Sequence, residues 1–395
     1  MPVGYPRGFE VTGVSSGIKP GGKRDLALIY SAKTCEAAAM FTTNTFAAAP
    51  VQVSQKHLLN RAPRAIVANS GNANACTGDQ GMEDALAMAH LAAKALRLAD
   101  EEVLVCSTGV IGERLPMDRL RTGISTAAQS LSPDHWPDVA NAIMTTDTRP
   151  KLHALELELD GKQLSLLGVA KGAGMIHPRL ATMLAFIATD ASISQDALRQ
   201  ALRTAVDLSF NAITVDGDTS TNDSVVVLAN GMAGNRIIVP GSSAYRTFEE
   251  RLTELCQWLA REIARDGEGA TKLIEIVVSG AGSVADARQI AMAIARSNLV
   301  KTALFGCDPN WGRIACAVGY SGVACSLEKL GIMLGQYKLF SNGSPQAVDK
   351  IVLKTYLKQP EIRIEIKLNA GTKTATVWTC DLSEQYVRLN AEYHT

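Results

Sequence analysis

Hydrophobic and polar residues alternate along this chain with two different periods. Leucines alternate with glutamates over 155–159, and isoleucines alternate with charged residues over 362–368, which is the two-residue period of strands with one polar face. Over 248–263, large apolar residues recur every three or four positions, which predicts one long amphipathic helix. Shorter helices are predicted at 82–98, 197–208 and 284–296, and buried strands at 65–67, 103–106, 225–228 and 274–278.

Turn signals separate these elements. Asp160-Gly161 follows the leucine-rich strand and predicts a hairpin into a second strand that ends near Ala170. The triplet 369–371 (Asn-Ala-Gly) predicts a turn into a returning strand, 374–379. Hairpins mixed with long helices predict an α+β layered architecture, with antiparallel or mixed sheets and helices outside them.

Composition narrows the class of protein. With 395 residues, 47% of them hydrophobic and 20% charged, the chain can bury a sizeable core in two or three domains. Lys+Arg and Asp+Glu both number 39, which argues against a nucleic-acid partner bound through phosphate neutralisation. No apolar run approaches the roughly 20 residues that span a bilayer, and the first residues lack the apolar core of a secretory signal. We therefore expect a cytoplasmic protein without a membrane partner.

Cysteine and histidine spacing gives no sign of a metal or redox site. The eight cysteines form no C-x-x-C pair, so we expect reduced, partly buried thiols. The six histidines show no ligand spacing such as H-E-x-x-H. The segment 280–285 follows a strand and opens a helix, as a dinucleotide-binding loop would. It lacks the acidic residue that such a site places about 20 residues later. We expect no metal and no cofactor.

The segment 171–190, KGAGMIHPRLATMLAFIATD, holds the strongest candidate for chemistry. A threonine hydroxyl becomes a good nucleophile when a base takes its proton, and an N-terminal threonine carries that base in its own α-amine. With a pKa of about 7.7–8.0, this amine is partly neutral near pH 7. Thr182 would acquire such an amine through a cut after Ala181. The local pattern alone is equally that of an ordinary threonine on a buried strand, so the hypothesis needs support from elsewhere.

Other polar segments could surround such a nucleophile. Thr108-Gly109 follows a strand and offers a hydroxyl beside a glycine amide, the donors of an oxyanion hole, although a simple strand-end turn has the same pattern. The clusters 144–149 and 219–223 are rich in hydroxyls and carboxylates, which suits capping turns or a site for a small zwitterion. The segment 307–313 is expected to join a strand to the apolar run 314–318. There, Arg313 could hold a carboxylate, or the segment could be a rigid turn with its tryptophan in a core.

Taken together, seven motifs closely resemble those of one family, the ornithine acetyltransferases, also called glutamate N-acetyltransferases. The resemblance covers the chain from Gly8 to Thr395. The motifs are KGAGMIHPRLATML, STGVIG, IMTTDTRPK, DTSTND, RDGEGATKLIE, GCDPNWGRI and the terminal YVRLNAEYHT.

The resemblance implies self-cleavage between Ala181 and Thr182, which divides the chain into an α chain (1–181) and a β chain (182–395). Thr182 then takes the acetyl group from N-acetyl-ornithine and passes it to glutamate in a ping-pong reaction. Acetyl-CoA as a further donor stays open. The resemblance also implies the following site residues. Thr108 and Gly109 correspond to the oxyanion hole, and the substrate contacts correspond to Thr145 (with Thr146 and Thr148 as alternatives), Lys171, Thr182, Glu268, Asn390 and Thr395.

The family fold is a layered α/β sandwich that resembles the N-terminal-nucleophile hydrolases in outline but has a different topology. A smaller C-terminal α/β domain is expected within about 280–395, and the family assembles as α2β2 heterotetramers. Two alternatives remain from the residues themselves. One is a self-cleaving N-terminal-nucleophile aminopeptidase or amidase, in which water accepts the acyl group. The other is a small-molecule-binding protein that never cleaves.

Overall fold

The computed structural model describes residues 4–177 and 183–392. The described chain divides into two compact units. The first comprises residues 4–211 and 218–263, and the second comprises 212–217 and 264–392. The predicted cleavage site, Ala181 and Thr182, and the terminal Thr395 lie outside the described residues.

The first unit contains the strands β1–β9 and the helices α1–α6, of which the last helix runs two residues beyond the unit. The strands are β1 (Phe9–Val14), β2 (Leu26–Ser31), β3 (Glu36–Phe41), β4 (Ala65–Asn72), β5 (Val103–Val110), β6 (Lys151–Leu159), β7 (Lys162–Lys171), β8 (Leu184–Thr189) and β9 (Ser224–Ala229). The helices are α1 (Ala49–Asn60), α2 (Gly78–Leu96), α3 (Met117–Gln129), α4 (Trp136–Ala142), α5 (Gln195–Asp207) and α6 (Ser243–Arg265).

Two sheets lie face to face inside this unit. One has the order β1-β2-β4-β5 and the other the order β3-β9-β8-β7-β6. Alternate residues of β4 show the layering: Ile66 and Ala68 pack into the core between the sheets, whereas Ala65 and Val67 pack against the helical layer of α1, α2 and α3. On the far side, Gly168 of β7 lies against leucines of α6. The first unit is therefore the predicted α+β layered sandwich, in the order helices, sheet, sheet, helices.

Burial on both faces explains the apolar strands at the centre of the second sheet. Every residue of β8 and β9 is buried, and these two strands run parallel to each other. A parallel pair covered on both faces requires a continuous apolar run rather than alternation. The leucine-rich hairpin is also confirmed. β6 and β7 pair from Leu159–Lys162 outwards, and Asp160 and Gly161 adopt the positive φ angles of 53° and 71° that a two-residue turn needs.

The second unit is built on one six-stranded sheet with helices against it. Its strands are β10 (Leu273–Ala281), β11 (Gly331–Leu334), β12 (Tyr337–Ser341), β13 (Ser344–Pro345), β14 (Glu361–Lys367) and β15 (Lys373–Cys380). Its helices are α7 (Val284–Ala295), α8 (Asn298–Phe305), α9 (Trp311–Gly319), α10 (Lys350–Tyr356) and α11 (Glu384–Glu392). The isoleucines of β14 are buried beneath the helices, while its charged residues form ion pairs on the other face.

The returning strand after residue 371 exists, but it does not pair with the strand before the turn. β10 lies between β14 and β15, parallel to the first and antiparallel to the second. The turn steps over the end of β10, where Leu368 and Ala370 donate hydrogen bonds to the carbonyls of Ser279 and Gly280. A side chain on Gly280 would lie 2.9 Å from the Asn369 nitrogen. The glycines of 280–282 therefore permit this close crossing of backbones.

The segment 307–313 also differs from the expectation, because the residues before it form a helix. It joins α8 to α9, and the apolar run 314–318 lies within α9. Arg313 donates to the Leu299 carbonyl at 2.7 Å, and Trp311 stacks on Phe340 with ring centroids 5.2 Å apart. These contacts support the alternative of a rigid turn that packs its tryptophan into the core.

Two further expectations concern cysteines and membrane spans. All eight cysteines belong to the described chain and are free thiols, with Cys35, Cys106, Cys256 and Cys380 buried. Within the described ranges, no helix has both the length and the apolar character to cross a membrane.

The contact between β1 and α4 yields a stability prediction. A Cβ atom on Gly13 would lie 2.0 Å from the Asp138 carbonyl oxygen, so Gly13→Ala must displace the α4 backbone. Overpacking of this kind costs about 1–3 kcal/mol, which corresponds to a melting midpoint lower by about 2–4 °C for each kcal/mol. As a control, Gly319→Ala at the end of α9 has no atom within 4 Å of its new Cβ and should leave the thermal midpoint unchanged or slightly raised. Equal midpoints for both variants, measured by circular dichroism, would contradict this packing.

Candidate active site

The end of β5 carries the proposed oxyanion donors, and β4 supports it throughout. These parallel strands stay paired as far as Gly71 and Gly109, so β4 continues to Asn72 instead of ending at residue 67 as the sequence predicted. Its polar residues can remain buried in a strand because they bond to one another. The Ser107 hydroxyl donates to Asn69 Oδ1 at 2.6 Å, and Asn69 Nδ2 donates to the Asn72 carbonyl at 2.8 Å.

Gly109 is required at its position by both conformation and space. Its φ angle is +135°, which residues with a side chain rarely adopt. A Cβ atom there would lie 2.3 Å from the carbonyl carbon of Gly71, which cannot yield because it is backbone. The glycine thus lets two strands approach closely beside the Thr108 hydroxyl.

Lys171, the last residue of β7, reaches the same place. Its Nζ donates a hydrogen bond to Thr108 Oγ1 at 3.1 Å, and both residues are buried, with Lys171 only 1% exposed. An ammonium group can only donate, so Thr108 Oγ1 acts as the acceptor here. The Thr108 hydroxyl hydrogen is then left to be donated elsewhere, as an oxyanion hole needs.

A buried carboxylate organises the surroundings of Lys171. Asp147 Oδ1 accepts hydrogen bonds from Lys151 Nζ at 2.6 Å and from the Gly172 amide at 2.7 Å, while its Oδ2 accepts from the Thr145 amide at 2.9 Å. Burial opposes ionisation of Asp147, but the charges of Lys151 and Lys171 and the Gly172 hydrogen bond outweigh it, so its pKa is lowered to about 2. One permanent negative charge therefore ties the 144–149 cluster to the end of β7.

Lys19 adds a third ammonium group to this region, beside those of Lys151 and Lys171. It is half-buried, and its Nζ donates to the carbonyls of Met144 at 2.5 Å and Arg24 at 3.1 Å. Burial lowers the pKa of Lys19 to about 8, against the raising effect of the nearby Asp25 carboxylate. No sequence pattern pointed to Lys19, because a lone lysine in a loop carries no periodic or motif signal.

The 219–223 cluster connects the two sheets at their strand ends. Asn222 Nδ2 donates to the carbonyls of Ser107, at 2.9 Å, and Ala73, at 2.6 Å. Asp223 Oδ1 accepts from the Met183 amide at 2.8 Å. Residues just before β9 therefore hold both the strand that carries Thr108 and the residue that follows Thr182 in the chain.

In the second unit, the structure brings together two predicted substrate contacts. Asn390 on α11 donates through Nδ2 to Glu268 Oε2 at 2.8 Å and to the Tyr386 carbonyl at 3.0 Å. Tyr386 in turn donates its hydroxyl to Asp216 at 3.4 Å. Glu268, Asn390 and Asp216 thus form a polar surface within this unit.

The sequence-based residues are therefore placed as follows. Thr108 and Lys171 touch each other, Gly109 adjoins them, and Thr145 reaches them through Asp147. Asp147, Lys151 and Asp223 were not singled out as individuals, although they lie in motifs that the sequence did single out. Over the part of the chain that the structure describes, no group of three or more His, Cys, Asp or Glu residues could hold a metal ion.

The arrangement is suited to stabilising a developing negative charge. A hydroxyl with its oxygen already engaged, the adjoining Gly109 and a buried ammonium are assembled before any substrate arrives. Such preorganised donors act in a low-dielectric interior, where they are worth more than in water. Acyl transfer, whose tetrahedral intermediates carry an oxyanion, is the chemistry that this geometry fits.

Comparison with known proteins agrees with this chemistry. The sequence matches the ArgJ family over residues 10–395. It is similar to the arginine biosynthesis bifunctional protein ArgJ of Symbiobacterium thermophilum, with 51% identity over 392 residues, covering 99% of this chain and 98% of that protein. The mitochondrial ArgJ of Schizosaccharomyces pombe is 46% identical over 412 residues, covering 99% of this chain and 93% of that protein.

A solved structure gives the same result in three dimensions. The crystal structure of ArgJ from Bacillus halodurans superposes with a TM-score of 0.52 and 44% identity, covering 53% of this chain and 98% of that one. The family match and the relatives extend over nearly the whole length. This chain therefore belongs to the ArgJ family, the ornithine acetyltransferases or glutamate N-acetyltransferases, and is an acyltransferase of arginine biosynthesis.

Proposed function

We propose that this enzyme moves the acetyl group of N-acetyl-ornithine to glutamate through an acetyl-Thr182 intermediate. Self-cleavage between Ala181 and Thr182 first frees the Thr182 α-amine, which then serves as the base for its own hydroxyl. The products of the cut are the α chain 1–181 and the β chain 182–395. We propose that they assemble as an α2β2 heterotetramer in the cytoplasm.

The contact between Lys171 and Thr108 is the observation that carries this proposal. It brings the Thr108 hydroxyl and a buried cation together at the end of β7, the strand that pairs with β8. Met183 immediately precedes β8, so the proposed nucleophile is separated from that strand by a single residue. Two tetrahedral intermediates, one for each half-reaction, would use the same donors.

The length of the Bacillus halodurans chain supports the cut. Almost all of that crystallised chain aligns with this protein, yet the alignment covers only 53% of this protein. The relative's chain is therefore about half as long, as expected when a precursor is divided near its middle. Ala181 and Thr182 lie close to the middle of the present 395 residues.

The charges on the candidate residues suit an amino-acid substrate. Lys171 can attract a carboxylate, and Glu268 can pair with an ammonium group. Asn390 orients Glu268 through its 2.8 Å hydrogen bond. We propose that these residues, with Thr145 and Thr395, bind the backbone and side chain of ornithine and glutamate. Exclusion of water from the acetyl-enzyme then decides between transfer and hydrolysis.

Labelled glutamate supplied with unlabelled N-acetyl-ornithine tests the reaction. We expect labelled N-acetyl-glutamate, with free ornithine released at equal rate. Free acetate without N-acetyl-glutamate would instead identify the amidase alternative.

The relatives are named bifunctional, and we propose that the second activity is acetylation of glutamate by acetyl-CoA. A parallel assay with acetyl-CoA as the sole donor checks this.

Intact-mass analysis tests the nucleophile. Wild-type protein should give two chains, whereas Thr182→Ala should give one species at 42.0 kDa without activity, because no hydroxyl is left to attack. Thr182→Ser keeps the hydroxyl and should cleave and turn over more slowly. Two chains from Thr182→Ala would exclude Thr182 as the cleaving residue.

Removal of the Thr108 hydroxyl tests the oxyanion hole. Thr108→Val preserves shape and removes the donor, so kcat should fall by roughly 10²–10³-fold with a smaller change in KM. A matched control is Thr12→Val in the same sheet, a buried threonine whose hydroxyl bonds to Ser130 at 3.2 Å. That control should keep wild-type kcat. Unchanged kcat in Thr108→Val would remove Thr108 from the mechanism.

A further inference from the structure

Asp223 is a fully buried carboxyl group with one oxygen unused. It lies just before β9, and its Oδ1 accepts the Met183 amide hydrogen at 2.8 Å. Its Oδ2 is buried and has no hydrogen-bond partner among the residues that the structure describes. Buried polar atoms are nearly always paired, so an oxygen left unpaired beside a reactive segment calls for a functional explanation.

A carboxyl group at the end of the neighbouring strand, β8, shows the usual arrangement. Asp190 follows β8 directly and is equally buried. Its Oδ1 accepts from the Ser165 amide at 2.9 Å, and its Oδ2 accepts from Arg7 Nε at 2.7 Å. Both oxygens of Asp190 are thus engaged in holding the fold. Support of the Met183 amide would need only one oxygen of Asp223.

The surroundings favour the protonated form of Asp223. Thr42 follows β3 directly, and its hydroxyl donates to the Ser220 carbonyl at 2.7 Å. Lys171, at the end of β7, contributes its charge, and the Met183 amide lies just before β8. Burial raises the pKa of Asp223 well above its usual value, although the Met183 hydrogen bond, the Lys171 charge and Thr42 each act to lower it. A protonated carboxyl turns the unused oxygen into a donor.

The sequence links the Met183 amide directly to the nitrogen of Thr182. Met183 follows Thr182, and backbone bond lengths keep consecutive nitrogens within about 3.7 Å of each other. Asp223 is hydrogen-bonded to the second of these nitrogens. The first is the nitrogen that a cut after Ala181 releases as an amine.

We propose that Asp223 is the acid that protonates the Thr182 nitrogen during self-cleavage, an assignment that rests on the proposed function. The Thr182 Oγ forms a bond to the Ala181 carbonyl carbon, and the carbon–nitrogen bond breaks. The proton on Asp223 Oδ2 passes to the leaving nitrogen, and the Thr182 hydroxyl proton restores the carboxyl group. Water then hydrolyses the resulting ester, giving the Ala181 carboxylate and the free Thr182 hydroxyl.

The substitution Asp223→Asn separates proton donation from structural support. An asparagine keeps an oxygen for the Met183 amide and has the same shape, but it cannot give up a proton. General acid catalysis contributes about 10²–10⁴-fold, so we expect cleavage at least about 100-fold slower. The matched control Asp190→Asn should cleave at the wild-type rate even where its melting midpoint falls.

Full-length chains are refolded from denatured precursor into buffers from pH 6 to 9, and intact mass is followed with time. Wild-type cleavage should slow as the pH rises and Asp223 loses its proton, and the slow residual cleavage of Asp223→Asn should lack that dependence. Circular dichroism should give Asp223→Asn the same folded signal as wild type.

Cleavage of Asp223→Asn within twofold of the wild-type rate, with Thr182→Ala uncleaved, would overturn this inference and leave the proposed function standing. Cleavage in Thr182→Ala would overturn both. Residual cleavage of Asp223→Asn that follows the same pH dependence as wild type would also overturn the inference.

Discussion

The buried charge of Asp147 is the constraint on which the candidate site depends. Lys151 and Lys171 are both about 1% exposed, and a buried ammonium without a partner is strongly destabilising. Because Lys151 opens β6 and Lys171 ends β7, the antiparallel register brings both to the same edge of the sheet, with Lys151 opposite Ala170. Asp147 sits beside them and supplies the compensating charge. The turn that carries Thr145 is thereby held at the same edge.

From that edge, the donor geometry follows by short steps. Lys171 donates a hydrogen bond to Thr108. Thr108 lies beside Gly109, where the close approach of the two strands leaves no room for a side chain. Asn222 joins the end of β5 to the start of β9, and Asp223 joins the start of β9 to Met183. Each link is a hydrogen bond between buried groups. The hydrogen bonds that satisfy the buried polar groups of the sandwich therefore also fix the geometry of the site. The proposed catalytic donors and the structural partners are here the same residues.

The second unit follows a different rule. Its sheet is buried on one face only, so β14 alternates isoleucine with charge, whereas β8 and β9 in the first unit are apolar throughout. Its glycines at 280–282 serve the crossing of the 369–371 turn over β10, not the phosphate of a nucleotide. The same local motif can thus arise from close packing between backbones. A dinucleotide-binding loop would be followed about 20 residues later by an acidic residue, and this chain has none there. That absence separated nucleotide binding from close backbone packing.

Periodicity by itself determined the position and type of four helices, α2, α5, α6 and α7, and of eight strands, because burial of one face or two imposes its pattern directly on neighbouring residues. The shorter helices, such as α4, α8 and α10, were not predicted, because few apolar positions repeat within so short a segment. Motif resemblance likewise pointed to Thr108, Gly109, Lys171, Glu268 and Asn390 as candidate site residues. The sequence did not predict the strand partners, because β10 inserts between β14 and β15 through pairings between residues more than 80 positions apart. Nor did the sequence predict the structural roles of Asp147 and Lys19 or the unpaired oxygen of Asp223. Whether a carboxylate is neutralised, exposed or left without a partner depends on side chains that meet only when distant strands pack, and only the tertiary structure decided that.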